Sequence, residues 1–178
     1  MARYALLLRG INVGRAHRIG MADLRAMLTA EGHTGVATLL QSGNVVLRSE
    51  LPASELATSV EQALERRFGF PVPTVVRTCE ELLGVISRDP LGVVATDPTR
   101  YVATFFSGEV PAGLVERLRA TDPGDDAFAV AGRELYMWCP HGQRDSPLVT
   151  AVGRHRGGSG GTARNWVTVR KLVDLLRR

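Results

Sequence analysis

Arg3-Tyr4-Ala5-Leu6-Leu7-Leu8-Arg9-Gly10-Ile11-Asn12-Val13-Gly14 is the stretch that decides the fold. Tyr4 to Leu8 is an unbroken apolar run, the pattern of a strand that can be buried on both faces. Gly10 and Gly14 then bracket a polar Asn12. A strand that passes at once into a glycine-punctuated turn and a helix opens many α/β layers. The rest of the chain reads as pieces that cover or extend that strand.

Outward from it, residues 15–20 form a polar loop. Met21, Leu24 and Leu28, at three- and four-residue steps, predict a helix over 21–31 that ends at Gly32. A second strand is expected over 36–40. Gln41-Ser42-Gly43-Asn44 breaks it before 45–48 resumes, as a hairpin or a sharply bulged strand. Pro52 suits a first helical position, Leu56, Val60, Leu64 and Phe68 keep one apolar stripe, and Gly69 closes it. Residues 72–77 read as a strand whose Pro73 marks a sheet edge or a strand start. Thr78 and Glu81 make a capping-box pattern for a helix expected to bury Leu82, Leu83 and Ile86 and to stop before Asp89-Pro90.

Residues 91–100 are a loose connector and the expected boundary between a subdomain over 1–90 and another over 101–178, within one domain of 1–178. The second half predicts a strand over 101–107, a short helix from Pro111 and an acidic loop over 121–126. Gly132-Arg133 then joins two strands as a tight turn. A helix follows from Ser146-Pro147, then a glycine-rich run over 157–161 and a last helix over 165–177. The expected class is α+β: two ferredoxin-like α/β subdomains packed in one compact chain. A flavodoxin-like sheet is the rival, but it needs more parallel crossovers than this hairpin-rich order supplies.

With 178 residues the chain can bury roughly 70% of its unfolded surface, so its core requires no metal or disulfide. Cys79 and Cys139 have no metal-ligand spacing and are expected as reduced, buried thiols. No run is long enough for a membrane helix, and no export signal is apparent, so a cytoplasmic protein is expected. No cofactor is called for, and a monomer is favoured. The four histidines show no ligand spacing, and Asp122, Asp125 and Asp126 lack the remaining positions of a calcium loop, so no metal site is proposed.

Charge is regional. Residues 1–48 carry six Arg and two acids, a net +4; residues 49–132 carry seven Arg against thirteen acids, a net −6. Residues 133–178 carry eight Arg and one Lys against three acids, a net +6. Two basic ends around an acidic middle would form one positive, phosphate-attracting face if the ends meet. The plainer reading is compositional, since 21 of the 22 basic residues are Arg.

Three segments are candidate sites. In 9–14, glycines let backbone approach a ligand, and amides beside Arg9, Arg15 and Arg18 suit a phosphate or carboxylate. Neither a dinucleotide fingerprint nor a phosphate loop is present. The plain alternative is a structural turn held by Asn12. In 41–44, Ser42 and Asn44 offer hydrogen bonds to a ligand, or Asn44 holds a bulge; Ser42 lacks the surroundings of a nucleophile elbow. In 162–168, a glycine-rich loop leads into a helix start with Arg164 and Asn165, a reasonable anion site. Otherwise Asn165 is an N-cap and Trp166 a core anchor. Arg154 and Arg156 add charge upstream. Tyr4, Tyr101, Phe105 and Phe106 sit in runs too apolar for an RNA-stacking platform.

These segments together resemble the bacterial family catalogued as domain of unknown function 1697. The resemblance rests on Leu8-Arg9-Gly10-Ile11-Asn12-Val13-Gly14, Met21 with Leu24, Gln41-Ser42-Gly43-Asn44-Val45, and Arg164-Asn165-Trp166 with Thr168 and Leu172. It implies two ferredoxin-like subdomains and no established activity. Val167 stands where relatives commonly carry Asn, and Arg15-Ala16 follow Gly14 where a second glycine is common. The preferred function is binding of a phosphate-bearing ligand, nucleic acid or nucleotide, through Arg9, Asn12, Arg15, Ser42, Asn44, Arg164 and Asn165. The alternatives are an enzyme on a small anionic metabolite, which lacks an identifiable base, and a structural or regulatory protein without a ligand.

Overall fold

A computed structural model describes residues 1–155 and 160–178; Arg156 and the start of the glycine-rich run lie outside the described residues. The chain is α+β and divides into two units, residues 1–83 with 171–178 and residues 84–170. No helix among the described residues is long and apolar enough to cross a membrane.

Unit 1 runs β1 (Ala2–Leu8), α1 (Met21–Ala30), β2 (Thr34–Leu39), β3 (Asn44–Ser49), α2 (Ala53–Phe68) and β4 (Thr74–Thr78), followed by α3 (Cys79–Arg88). Its antiparallel sheet has the order β2-β3-β1-β4, so the opening strand is central. Tyr4 to Leu8 are buried throughout, which is why the run shows no alternation. Tyr4, Leu6 and Leu8 pack with Leu24 and Leu28 of α1 and Leu56, Val60 and Leu64 of α2. Each fully buried side chain of this kind contributes roughly 1.5–3 kcal/mol.

The local signals work as their chemistry requires. After α1, Gly32 N–H donates to Thr29 O and His33 N–H to Leu28 O, a Schellman pair that Gly32 permits with φ 90°. Pro52 precedes α2, and Gly69 ends it in the left-handed region. Thr78 N–H donates to Glu81 Oε2 at 2.8 Å while Glu81 N–H donates to Thr78 Oγ1 at 3.1 Å, a complete capping box. Pro73 lies just before edge strand β4. In α3 the expected inward face is shifted: Leu82 and Val85, three residues apart and so on one side of the helix, are buried, while Leu83 is exposed.

Unit 2 repeats the order with β5 (Tyr101–Phe105), α4 (Ala112–Arg119), β6 (Ala127–Ala131), β7 (Glu134–Trp138), α5 (Pro147–Gly153), β8 (Thr162–Asn165) and the start of α6 (Trp166–Arg177). Its sheet order is β6-β7-β5-β8. Gly132, at φ 61°, opens the two-residue turn between β6 and β7. Ser146 caps α5 by accepting from Val149 N–H, with Pro147 first in the helix. Trp166 stacks on Tyr101 with ring centroids 4.5 Å apart and tilts against Tyr136, a buried aromatic core. Tyr4, Tyr101, Phe105 and Phe106 are all buried. Residues 162–165, expected as a loop and helix start, are strand β8, paired antiparallel with β5. Cys139 is buried, whereas Cys79 is only partly so.

Candidate functional site

Two of the three segments meet in unit 1, at the end of β1. The ladder of β1 does not stop cleanly at Leu8. Leu8 N–H donates to Gly43 O at 2.8 Å, and Arg9 N–H donates to Pro73 O at 2.9 Å. The chain then turns through Gly10 at φ 71°, Asn12 at φ 55° and Gly14 at φ 64°.

Asn12 holds this loop together. Its Oδ1 accepts from Ile19 N–H at 2.9 Å, and its Nδ2 donates to Ile19 O at 3.0 Å and to Gln41 O at 2.7 Å. The side chain therefore closes the loop across seven residues and ties it to the β2–β3 hairpin. Ile11 and Ile19 are buried beneath it. His17, at φ 50°, stacks on Phe70 with ring centroids 4.5 Å apart, a contact that spacing could not show.

The 41–44 segment is a hairpin turn. Leu40, with φ 60° and an exposed side chain, takes the left-handed position alongside Gly43, not Asn44. Asn44 is a fully buried strand residue whose Nδ2 donates to Leu39 O and to Ser42 Oγ. Gly43 is compelled twice: φ is 81°, and a Cβ there would meet Leu8 Cβ at 2.7 Å and Ile11 Cδ1 at 2.9 Å.

On this pinned frame Arg9, Arg15, Arg18 and Ser42 are exposed. Arg18 donates to Gly14 O at 3.3 Å, and no ion pair engages Arg9, Arg15 or Arg18 among the described residues. Three solvated guanidiniums on one short loop make a local positive field that an anion would feel at Debye-length range.

The third segment lies in unit 2 and has a different character. Arg164 is a buried residue of β8 whose Nη1 donates to Thr162 Oγ1 at 2.7 Å and Ala163 O at 2.8 Å. Burial lowers its pKa to about 10, which still leaves it a cation at neutral pH. Asn165 Oδ1 accepts from Thr168 N–H and Oγ1, so it is the N-cap of α6.

Nucleophile-like sets in unit 2 resolve into structure. Cys139 Sγ donates toward Ser146 Oγ at 3.6 Å, and Ser146 Oγ donates to Asp126 Oδ2 at 2.6 Å. That hydroxyl also caps α5, while burial raises the Cys139 pKa and keeps the thiol protonated. Arg88 pairs with the buried Glu134 at 3.1 Å. Among the described residues, no group of three or more His, Cys, Asp or Glu is placed to hold a metal ion.

Residues 1–136 match the model of a family described as "Protein of unknown function (DUF1697)". The chain belongs to that family. The matched span contains the Arg9–Gly14 loop and the 41–44 hairpin, and it ends before Arg164. The fold of DUF1697 seen here is also that of the conserved bacterial protein SP0830 from Streptococcus pneumoniae. The two structures superpose with a TM-score of 0.83 at 22% identity, covering 100% of this chain and 99% of that one. No curated protein matches the sequence.

Proposed function

We propose that the Arg9–Arg18 loop of unit 1 binds a phosphate-bearing polymer, with single- or double-stranded nucleic acid as the ligand class. The observation that carries this reading is the set of exposed arginines, Arg9, Arg15 and Arg18, none of them ion-paired among the described residues. Asn12 fixes the loop that bears them against Gln41, so little ordering entropy remains to oppose contact. The amides around Gly10 and Gly14 supply neutral donors beside the cations. A phosphate backbone suits solvated, spread arginines better than a small anion does, because its affinity comes from releasing counterions along a charged strand.

The element order β-α-β-β-α-β in each unit, with the first strand central, supports reading both as ferredoxin-like subdomains. A cytoplasmic location goes with this ligand. The sheet aromatics are buried, so the contact surface is the loop and not a stacking platform. Titration of labelled oligonucleotides at two salt concentrations tests the reading. Binding at low salt that collapses at high salt supports it, and no binding at low salt removes it.

A further inference from the structure

A second site lies elsewhere in unit 1, on the sheet face turned away from Tyr4, Leu6 and Leu8. Alternation along β1 puts Arg3 on that face, and the antiparallel register sets Arg3 directly opposite Arg48 of β3. Like charges facing each other across a ladder are destabilising, and a sheet normally avoids them or places a carboxylate between them. Neither arginine has an ion-pair partner among the described residues.

The two arginines border a cleft of about 360 Å³. Its other walls are apolar, from Ala37, Val46 and Leu176, with Arg178 at its border. Arg3 Nη1 donates to Leu176 O at 2.8 Å, which holds its guanidinium against the last turn of α6 and leaves its other N–H groups available. At Gly35, φ 61°, the β2–β3 register shifts between Thr34 and Ala37. The bulge twists edge strand β2, which discourages a peptide from adding to it as a further strand. The volume falls in the range of small-molecule sites, roughly 300–1,000 Å³.

We propose that this cleft binds an anionic amphiphile. A carboxylate or phosphate headgroup sits between Arg3 and Arg48, and an aliphatic chain lies on Ala37, Val46 and Leu176. The headgroup replaces a repulsive pair with two charge-assisted contacts, and the chain covers the apolar floor.

The test is an amide chemical-shift titration of the full chain with octanoate, octyl phosphate, 1-octanol and acetate. The expected result is saturable shifts at Gly35, Ala37 and Val46 with octanoate or octyl phosphate, the tighter of the two naming the headgroup. 1-Octanol and acetate should each need at least about tenfold higher concentration, since each lacks one half of the recognition. Arg48→Ala should weaken the anion about tenfold, the value of one hydrogen bond to a charged group. That variant removes an exposed side chain and a repulsion, so it retains the fold. Ala37→Met, which fills the floor, should weaken both anions as well. The proposal is overturned if neither anion moves these amides, if 1-octanol binds as tightly as octanoate, or if Arg48→Ala binds unchanged. Shifts at Gly10 and Gly14 instead would report the Arg9–Arg18 loop and also overturn it.

Discussion

Asn12 and Gln41 are joined by a 2.7 Å hydrogen bond from the Nδ2 of the first to the backbone carbonyl of the second. Together with the pair of bonds from Asn12 to the backbone of Ile19, it turns a glycine-rich loop into a fixed platform for three arginines. The backbone of Asn12 is left-handed, which asparagine tolerates better than alanine does. Asn12→Ala therefore loses three hydrogen bonds and adds strain, and should cost about 2–3 kcal/mol in urea melts. Asn12→Gly loses the same bonds without the strain and should cost about 1 kcal/mol less. If alanine proves no worse than glycine, the positive φ is not a constraint.

Gly43 and Gly10 separate two reasons for a glycine. Both have positive φ, but a Cβ at Gly43 collides with Leu8 and Ile11, whereas one at Gly10 meets nothing within 4 Å. Gly10→Ala should cost about 1–2 kcal/mol from backbone strain alone. Gly43→Ala should cost about 3 kcal/mol or more, because the core must shift as well. Equal losses in melting temperature would show that the hairpin turn moves aside easily.

His33 predicts a pH effect. It is buried just after α1, its Nε2 has no hydrogen-bond partner, and burial lowers its pKa from 6.5 despite the opposing charge of Glu31. The native state resists the proton that the unfolded chain accepts. Stability from this residue is thus full above pH 6.5 and falls as pH drops from 6.5 toward the depressed native value. Its slope there is at most about 1.4 kcal/mol per pH unit. Melts of the wild type and His33→Leu across pH 5–8 should diverge only on the acid side; parallel curves would assign the acid slope to other groups.

Much of this was legible in the sequence because the signals are local. Gly32, Gly69, the Thr78–Glu81 box and Ser146-Pro147 all act within one turn of chain, and each does in the structure what its chemistry requires, while Pro52 sits one residue ahead of the first helical position expected for it. Strand β8 was not legible. Its four residues follow glycines, carry no alternation of their own, and become a strand only through pairing with β5. In that strand Arg164 is buried and its Nη1 donates to Thr162 Oγ1, a placement that a glycine-led loop reading of these residues could not give. The Arg3–Arg48 juxtaposition was hidden for a similar reason, since register, not sequence, puts residues 45 positions apart side by side.

The arginines themselves divide by burial, and a salt series can read that division. If Arg9, Arg15 and Arg18 each neutralise one phosphate, replacing any of them with alanine removes one counterion-release event. The slope of log affinity against log salt should then shrink by about 0.9 per variant for duplex DNA or about 0.7 for a single strand, additively across the three. Their exposure predicts melting temperatures close to wild type. Arg164→Met should do the reverse. It leaves the salt slope unchanged, because a guanidinium buried in β8 and bonded to Thr162 and Ala163 is out of reach of a passing phosphate. It lowers stability by about 1–3 kcal/mol, because the acceptors it served lose their donor. A slope in Arg9→Ala equal to that of the wild type, or a reduced one in Arg164→Met, would move the phosphate contact away from the unit 1 loop.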